Sequence, residues 1–193
     1  MRTFFIFTTI FFTAFSFSQK QNGKVTLIDG KVIYGLVDVG GGFFDNDMNT
    51  IFFKENKDSK TIKYNEKSAK SAILINNKNE EAKFEFVFVE YQKKALLLKV
   101  EIDGFLKLYS DSNSYFNGTG FRNSSTFHIK KETETLAQYF VAFGYIPKKG
   151  FKKVVKFYFI DCPEIQNKVE VGKFKSDDFN EIVNFYNLNC APK

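Results

Sequence analysis

Among 193 residues the chain has no tryptophan, a single histidine and two cysteines. A structural zinc site needs four ligands, usually in close pairs such as C-x2-C. Two cysteines and His128 do not supply them. Lack of tryptophan removes the broadest platform on which a sugar ring could stack. Arginine is nearly as scarce: Arg2 and Arg122 are the full set, and the other positive charges are lysines. Readers of nucleic acid favour arginine's planar fork for bidentate contacts to phosphate and base. The formal charge of +6 therefore reads as a solvated lysine surface, and no nucleic-acid partner is expected. Also missing are G-x-S-x-G, the P-loop, H-E-x-x-H and a G-x-G-x-x-G after a strand. No catalytic residue, metal ligand or cofactor is assigned on this basis. Scattered Asp and Glu leave a paired-carboxylate hydrolase open.

The first residues are MRTFFIFTTIFFTAFSFSQK. Arg2 gives a short positive start, residues 3–15 form an uncharged apolar run, and Ser16 and Ser18 place small residues before Gln19. Those parts in that order make a secretory signal peptide over residues 1–18. The run is shorter than the roughly 20 residues a membrane helix needs. No later segment is apolar for that length, so the chain after residue 18 is expected to have no transmembrane span. It keeps 175 of the 193 residues, enough for a sizeable core. We expect a β-rich lobe over 19–110 and, over 111–193, a β-hairpin plus helical tail packed with it as one unit.

GKVTLIDGKVIYGLVDV (residues 23–39) is two apolar-rich runs around Asp29-Gly30, a sequence suited to a two-residue type I′ hairpin turn. Short strands are expected at 50–54 and 61–64, one helical turn within 65–71, and a further strand from Ile73. AKFEFVFVEY (82–91) carries apolar residues at both phases of a period of two, the pattern of a central strand covered on both sides. Leu96, Leu98, Val100 and Ile102 continue it as a meander through Asp103-Gly104 into FLKLY. Residues 110–125 read as a polar loop, and strands return at 126–131 and 136–146. From Phe151 the period changes: residues 151, 154, 155, 158 and 159 recur at helical spacing. A second helix is expected after Asp161 as N-cap, with Pro163 in its first turn. A third follows Ser176 as cap, its stripe being Phe179, Ile182, Val183 and Tyr186.

Cys162 opens the second of these helices and Cys190 closes the third. Helices joined by a short loop pack antiparallel, which brings those two ends together. Export places both thiols in an oxidising compartment. Cys162 and Cys190 are thus expected as a disulfide that holds the tail on the sheet. A reactive thiol is the weaker alternative, because its base would have to be His128. In TFHIK, period two puts His128 on the polar face with Thr126 and Lys130, facing solvent.

Two loop segments are further candidates. Asp45-Asn46-Asp47-Met48-Asn49 has oxygen donors at alternate positions. Thr50 and Asn56 occupy the sites of the glycine and closing glutamate of an EF-hand, so that pattern fails. In SYFNGTGFRNSS, Tyr115, Phe116, Phe121 and Arg122 could touch a partner or a sugar, and these four are the candidate binding residues. Asn117-Gly118-Thr119 and Asn123-Ser124-Ser125 are N-glycosylation sequons.

GKVTLIDGKVIYGLV resembles the opening hairpin of small exported proteins common in flavobacteria and their relatives. The tail FYFIDCPEIQNKV…FKSDDFNEIVNFYNLNC resembles their closing pattern: an aromatic, Asp-Cys-Pro, two short helices, then Tyr-Asn and a last cysteine. The resemblance implies a bacterial envelope setting, in the periplasm or at the cell surface, and no activity. It also implies that Cys162 and Cys190 belong together. The expected fold is α+β, an antiparallel β-rich body with a C-terminal pair or trio of short helices closed by that bond. The expected function is non-enzymatic binding of an envelope protein or glycan. A periplasmic hydrolase, and a lysine-rich protein seated on anionic lipid or polysaccharide, remain alternatives.

Overall fold

The computed structural model describes residues 21–40, 49–116, 121–143 and 150–192. Ten strands precede three helices: β1 (Gln21–Leu27), β2 (Val32–Val39), β3 (Ile51–Lys54), β4 (Ile62–Tyr64), β5 (Ala69–Ile75), β6 (Glu81–Val87), β7 (Leu96–Ile102), β8 (Leu106–Phe116), β9 (Phe121–Lys131), β10 (Gln138–Phe143), then α1 (Phe151–Tyr158), α2 (Pro163–Glu170) and α3 (Phe179–Asn189). The strands form one sheet in the order β10-β9-β8-β7-β6-β5-β1-β2-β3-β4, with antiparallel neighbours throughout. The fold is α+β, as the sequence pattern implies. The sheet is continuous through residue 110, which lies inside β8.

The register sets Val25, Val37, Ile51, Phe53, Ala72 and Leu74 on one face, and all six are buried. They are covered because the sheet curls. Asn49, just ahead of β3, accepts a hydrogen bond from the Leu97 N–H of β7 at 2.9 Å. In a flat sheet these strands would lie roughly 24 Å apart, five spacings of about 4.8 Å. Gly23 and Gly35 are register partners within the curl. A Cβ on Gly23 would run into the Ile73 carbonyl oxygen, and one on Gly35 into that of Lys54. Here glycine is required by close backbone approach, not by φ.

The other core lies at the β8–β10 end. Leu106, Leu108, Ile129, Phe140 and Val141 meet Phe151, Val155 and Phe159 of the α1 segment, Ile165 and Val169 of α2, and Ile182, Val183 and Tyr186 of α3. α1 and α3 present their expected stripes. Cys162 and Cys190 are bonded, with Cα atoms 5.7 Å apart. They are the residues flanking the start of α2 and the end of α3.

Several local expectations are corrected. Residues 110–116 and 121–125, expected as loop, are strand: β8 and β9 pair from Leu106↔Lys131 to Phe116↔Phe121. The Asp29-Gly30 turn is not the two-residue type. Gly30 N–H donates to Leu27 O (3.0 Å) and Leu27 N–H to Lys31 O (2.9 Å), with positive φ at Gly30 and not at Asp29. That is a three-residue turn closed by a glycine bulge. β5 begins at Ala69, earlier than Ile73, and β6 ends at Val87, so Phe88 and Tyr91 emerge exposed. Asp161 does not cap α2 and Ser176 does not cap α3; the flanking residues are Cys162 and Asp178.

Candidate functional site

Helix α1 has one buried and one exposed face. Phe151, Val155 and Tyr158 are buried, and Phe159 follows them into the core. At 100° per residue the outward face carries Lys152, Lys153, Lys156 and Phe157, with Ile160 just past the end. Phe157 is 65% exposed and Ile160 75%. α2 runs back beside α1, and Gln166 Nε2 donates to the Lys156 carbonyl at 2.8 Å. Between the two helices lies an open groove of about 830 Å³. Three lysines line one wall; Pro163, Gln166, Asn167 and Glu170 line the other. None of the three lysines forms an ion pair among the described residues. The helix thus offers a cluster of free ammonium groups interleaved with two large apolar side chains.

A polar latch fixes this face to the sheet. Lys131, at the end of β9, sends its Nζ to Asp161 Oδ2 at 2.7 Å. The same ammonium lies over the rings of Tyr158 (4.9 Å) and Tyr186 (5.2 Å). Tyr186 OH donates to Asp161 Oδ2 at 2.6 Å, and Tyr158 OH donates to Glu134 Oε2 at 2.6 Å. Glu134 also accepts the Lys131 N–H at 2.9 Å. Burial alone would raise the Asp161 carboxyl; Lys131 and Tyr186 outweigh it and hold it below the ordinary value. Both hydroxyls are pushed up, first by burial and then by their carboxylate partners. All three groups therefore keep one charge state across physiological pH, a structural arrangement. The residue read as a helix cap is in fact the joint between β9, α1 and α3.

His128 is not solvent-facing. It is 6% exposed, between its register partners Tyr109 and Tyr139. That sheet face also carries the buried Leu98 and Tyr109, which pack with Val89 and Ala137. The Nδ1 atom has no hydrogen-bond partner among the described residues. Burial lowers its pKa from the ordinary 6.5, with Asp111 opposing. Such a group is withdrawn from solvent and is not placed to activate a thiol. Its folded pKa lies below the unfolded one, so between them the unfolded chain binds more protons. Stability from this group is complete above pH 6.5 and falls as pH drops below it. His128→Phe is expected to remove that decline and to gain about 1 kcal/mol at pH 7, because a buried unsatisfied nitrogen disappears. Urea unfolding of both proteins between pH 7 and pH 5 checks it. The depressed carboxylates Glu85, Asp103 and Asp161 act at lower pH, below their unfolded values near 4.

The four candidate binding residues sit at the tip of the β8–β9 hairpin. Tyr115 is paired with Arg122 and Phe116 with Phe121; their side chains lie outside the described residues. So do residues 117–119 of the first sequon, residues 45–48 of the acidic turn and the leader over 1–18. Asn123 of the second sequon is a strand residue opposite Ser114. Among the described residues no group of three His, Cys, Asp or Glu is placed to hold a metal ion. No family model, curated protein or solved structure matches the chain.

Proposed function

We propose that the protein is exported to the bacterial envelope and acts there as a non-catalytic binding protein, with the outward face of α1 and the adjoining groove as its binding surface. Three features support export: the leader-like N-terminus, the resemblance of both ends to exported flavobacterial proteins, and the Cys162–Cys190 bond, which suits an oxidising compartment. The observation that carries the binding reading is the set Lys152, Lys153 and Lys156 beside exposed Phe157 and Ile160. Exposed apolar side chains grouped at a charged rim mark a candidate contact surface.

The test is retention by envelope fragments of the producing bacterium, measured by sedimentation of the disulfide-bonded protein. The wild type is expected to sediment with them. Lys152→Glu, Lys153→Glu and Lys156→Glu together are expected to release it while leaving thermal unfolding unchanged, since all three side chains are exposed. Equal retention of the triple variant would exclude this face.

A further inference from the structure

We infer that the partner of the α1 face is the headgroup layer of an anionic lipid bilayer. This rests on the reading of that face as the binding surface and specifies its ligand. Two kinds of group alternate on the face. The lysines are point charges on long flexible stems, suited to a diffuse negative layer; arginine forks suited to discrete phosphates are absent from the helix. Phe157 and Ile160 lie beside them, 65% and 75% exposed. A single exposed hydrophobe needs no explanation. Two at the end of an eight-residue helix, framed by three lysines, match the interfacial pattern of aromatic and aliphatic groups entering the acyl boundary while lysines stay among the headgroups.

The alternative polyanion is an acidic glycan. It would use the lysines but would leave Ile160 without a role, because an aliphatic side chain gives no stacking surface. The opposite face of α1 is committed to the core through Phe151, Val155 and Tyr158. Contact with the bilayer is therefore by side chains of a helix that stays seated. Negative groups nearby do not cancel the face. Asp161 is held by Lys131 and Tyr186, Glu164 lies within 3.9 Å of Lys168, and Glu170 sits on the opposite groove wall.

The experiment is co-sedimentation of the disulfide-bonded protein with vesicles of phosphatidylcholine alone or of phosphatidylcholine and phosphatidylglycerol in equal parts. Binding is expected to the mixed vesicles and to be lost as salt rises. Each Lys→Gln change is expected to weaken it about fivefold, and Phe157→Ser with Ile160→Ser about tenfold or more. Both apolar positions are exposed, so thermal unfolding of the double variant should match the wild type. Failure to bind mixed vesicles, or indifference to the Phe157/Ile160 changes, overturns the lipid assignment. If the lysine-dependent retention by envelope fragments persists alongside that failure, or soluble acidic polysaccharide competes it away, the surface is right and its ligand is a glycan. If the fragments are also ignored, the surface itself is wrong.

Discussion

Replacing Cys162 and Cys190 together by serine is expected to cost about 3 kcal/mol in unfolding free energy. The bond joins residues 28 apart in sequence, and closing a loop of that size restricts the unfolded chain by roughly this amount. The folded side of the balance gives the same direction. α2 has eight residues and buries two of them, Ile165 and Val169, and no side chain caps its N-terminus. Short helices are marginal alone, so α2 depends on what ties its ends. Guanidinium unfolding of the oxidised wild type and of the double-serine protein measures the difference. Amide exchange should show α2 opening first, well before β8 and β9, whose eleven paired positions lie in the sheet. A midpoint shift equivalent to less than 1 kcal/mol would mean that the tail is held by packing alone. Because α2 forms one wall of the groove, a loosened α2 should also weaken binding through the α1 face.

The parts of this fold visible in the sequence are those whose cause is local. The β6–β8 meander shows as period two, the helices as stripes of 3.6, and the cysteine pair as a count combined with helix order. The parts that are hidden have causes elsewhere in the chain. Ser112, Asn113 and Ser114 alternate nothing apolar with polar, yet they are strand residues because Ser125, Ser124 and Asn123 pair with them. His128 falls with Thr126 and Lys130 on a face that looks polar. That face is buried locally because the segments around Val89 and Ala137 bridge across it, and no period within TFHIK reveals a distant connection. Asp161 has the form of an N-cap, but a cation on β9 and a hydroxyl on α3 compete for its carboxylate and win.

The binding face is a mixed case. The stripe 151, 154, 155, 158 and 159 leaves Phe157 and Ile160 outside it, so their exposure follows from the sequence once the helix is placed. Sequence alone drew attention instead to Tyr115, Phe116, Phe121 and Arg122, because a polar, aromatic stretch resembles a binding loop. What singles out α1 is the groove formed with α2, and that requires the helices to be packed.

Asn187→Ala is expected to destabilise the protein by about 3 kcal/mol, an effect as large as loss of the disulfide from a residue that the sequence marks only as the Asn of the closing Tyr-Asn pair. Its side chain stands in for a strand. Leu106 N–H donates to Asn187 Oδ1 at 2.8 Å, and Asn187 Nδ2 donates to Leu106 O at 2.9 Å. Leu106 is fully buried and enters β8 where the β7–β8 register is irregular, between Val100 and Ile102. Neighbouring β7 residues pair further along, at Ile102↔Leu108, so both backbone groups of Leu106 turn to the helix. Truncation leaves a buried donor and a buried acceptor without partners, each costing about 1–3 kcal/mol. Alanine's better helix propensity returns only about 0.5 kcal/mol. Asn189→Ala is the control: its amide reaches no further than Phe185 O, one turn back on the exposed side of α3, and its loss should stay within about 0.5 kcal/mol. Denaturant unfolding of the two variants side by side decides it. Matching midpoints would mean that α3 is seated by Ile182, Val183 and Tyr186 alone, and that water reaches Leu106 easily enough to replace the amide.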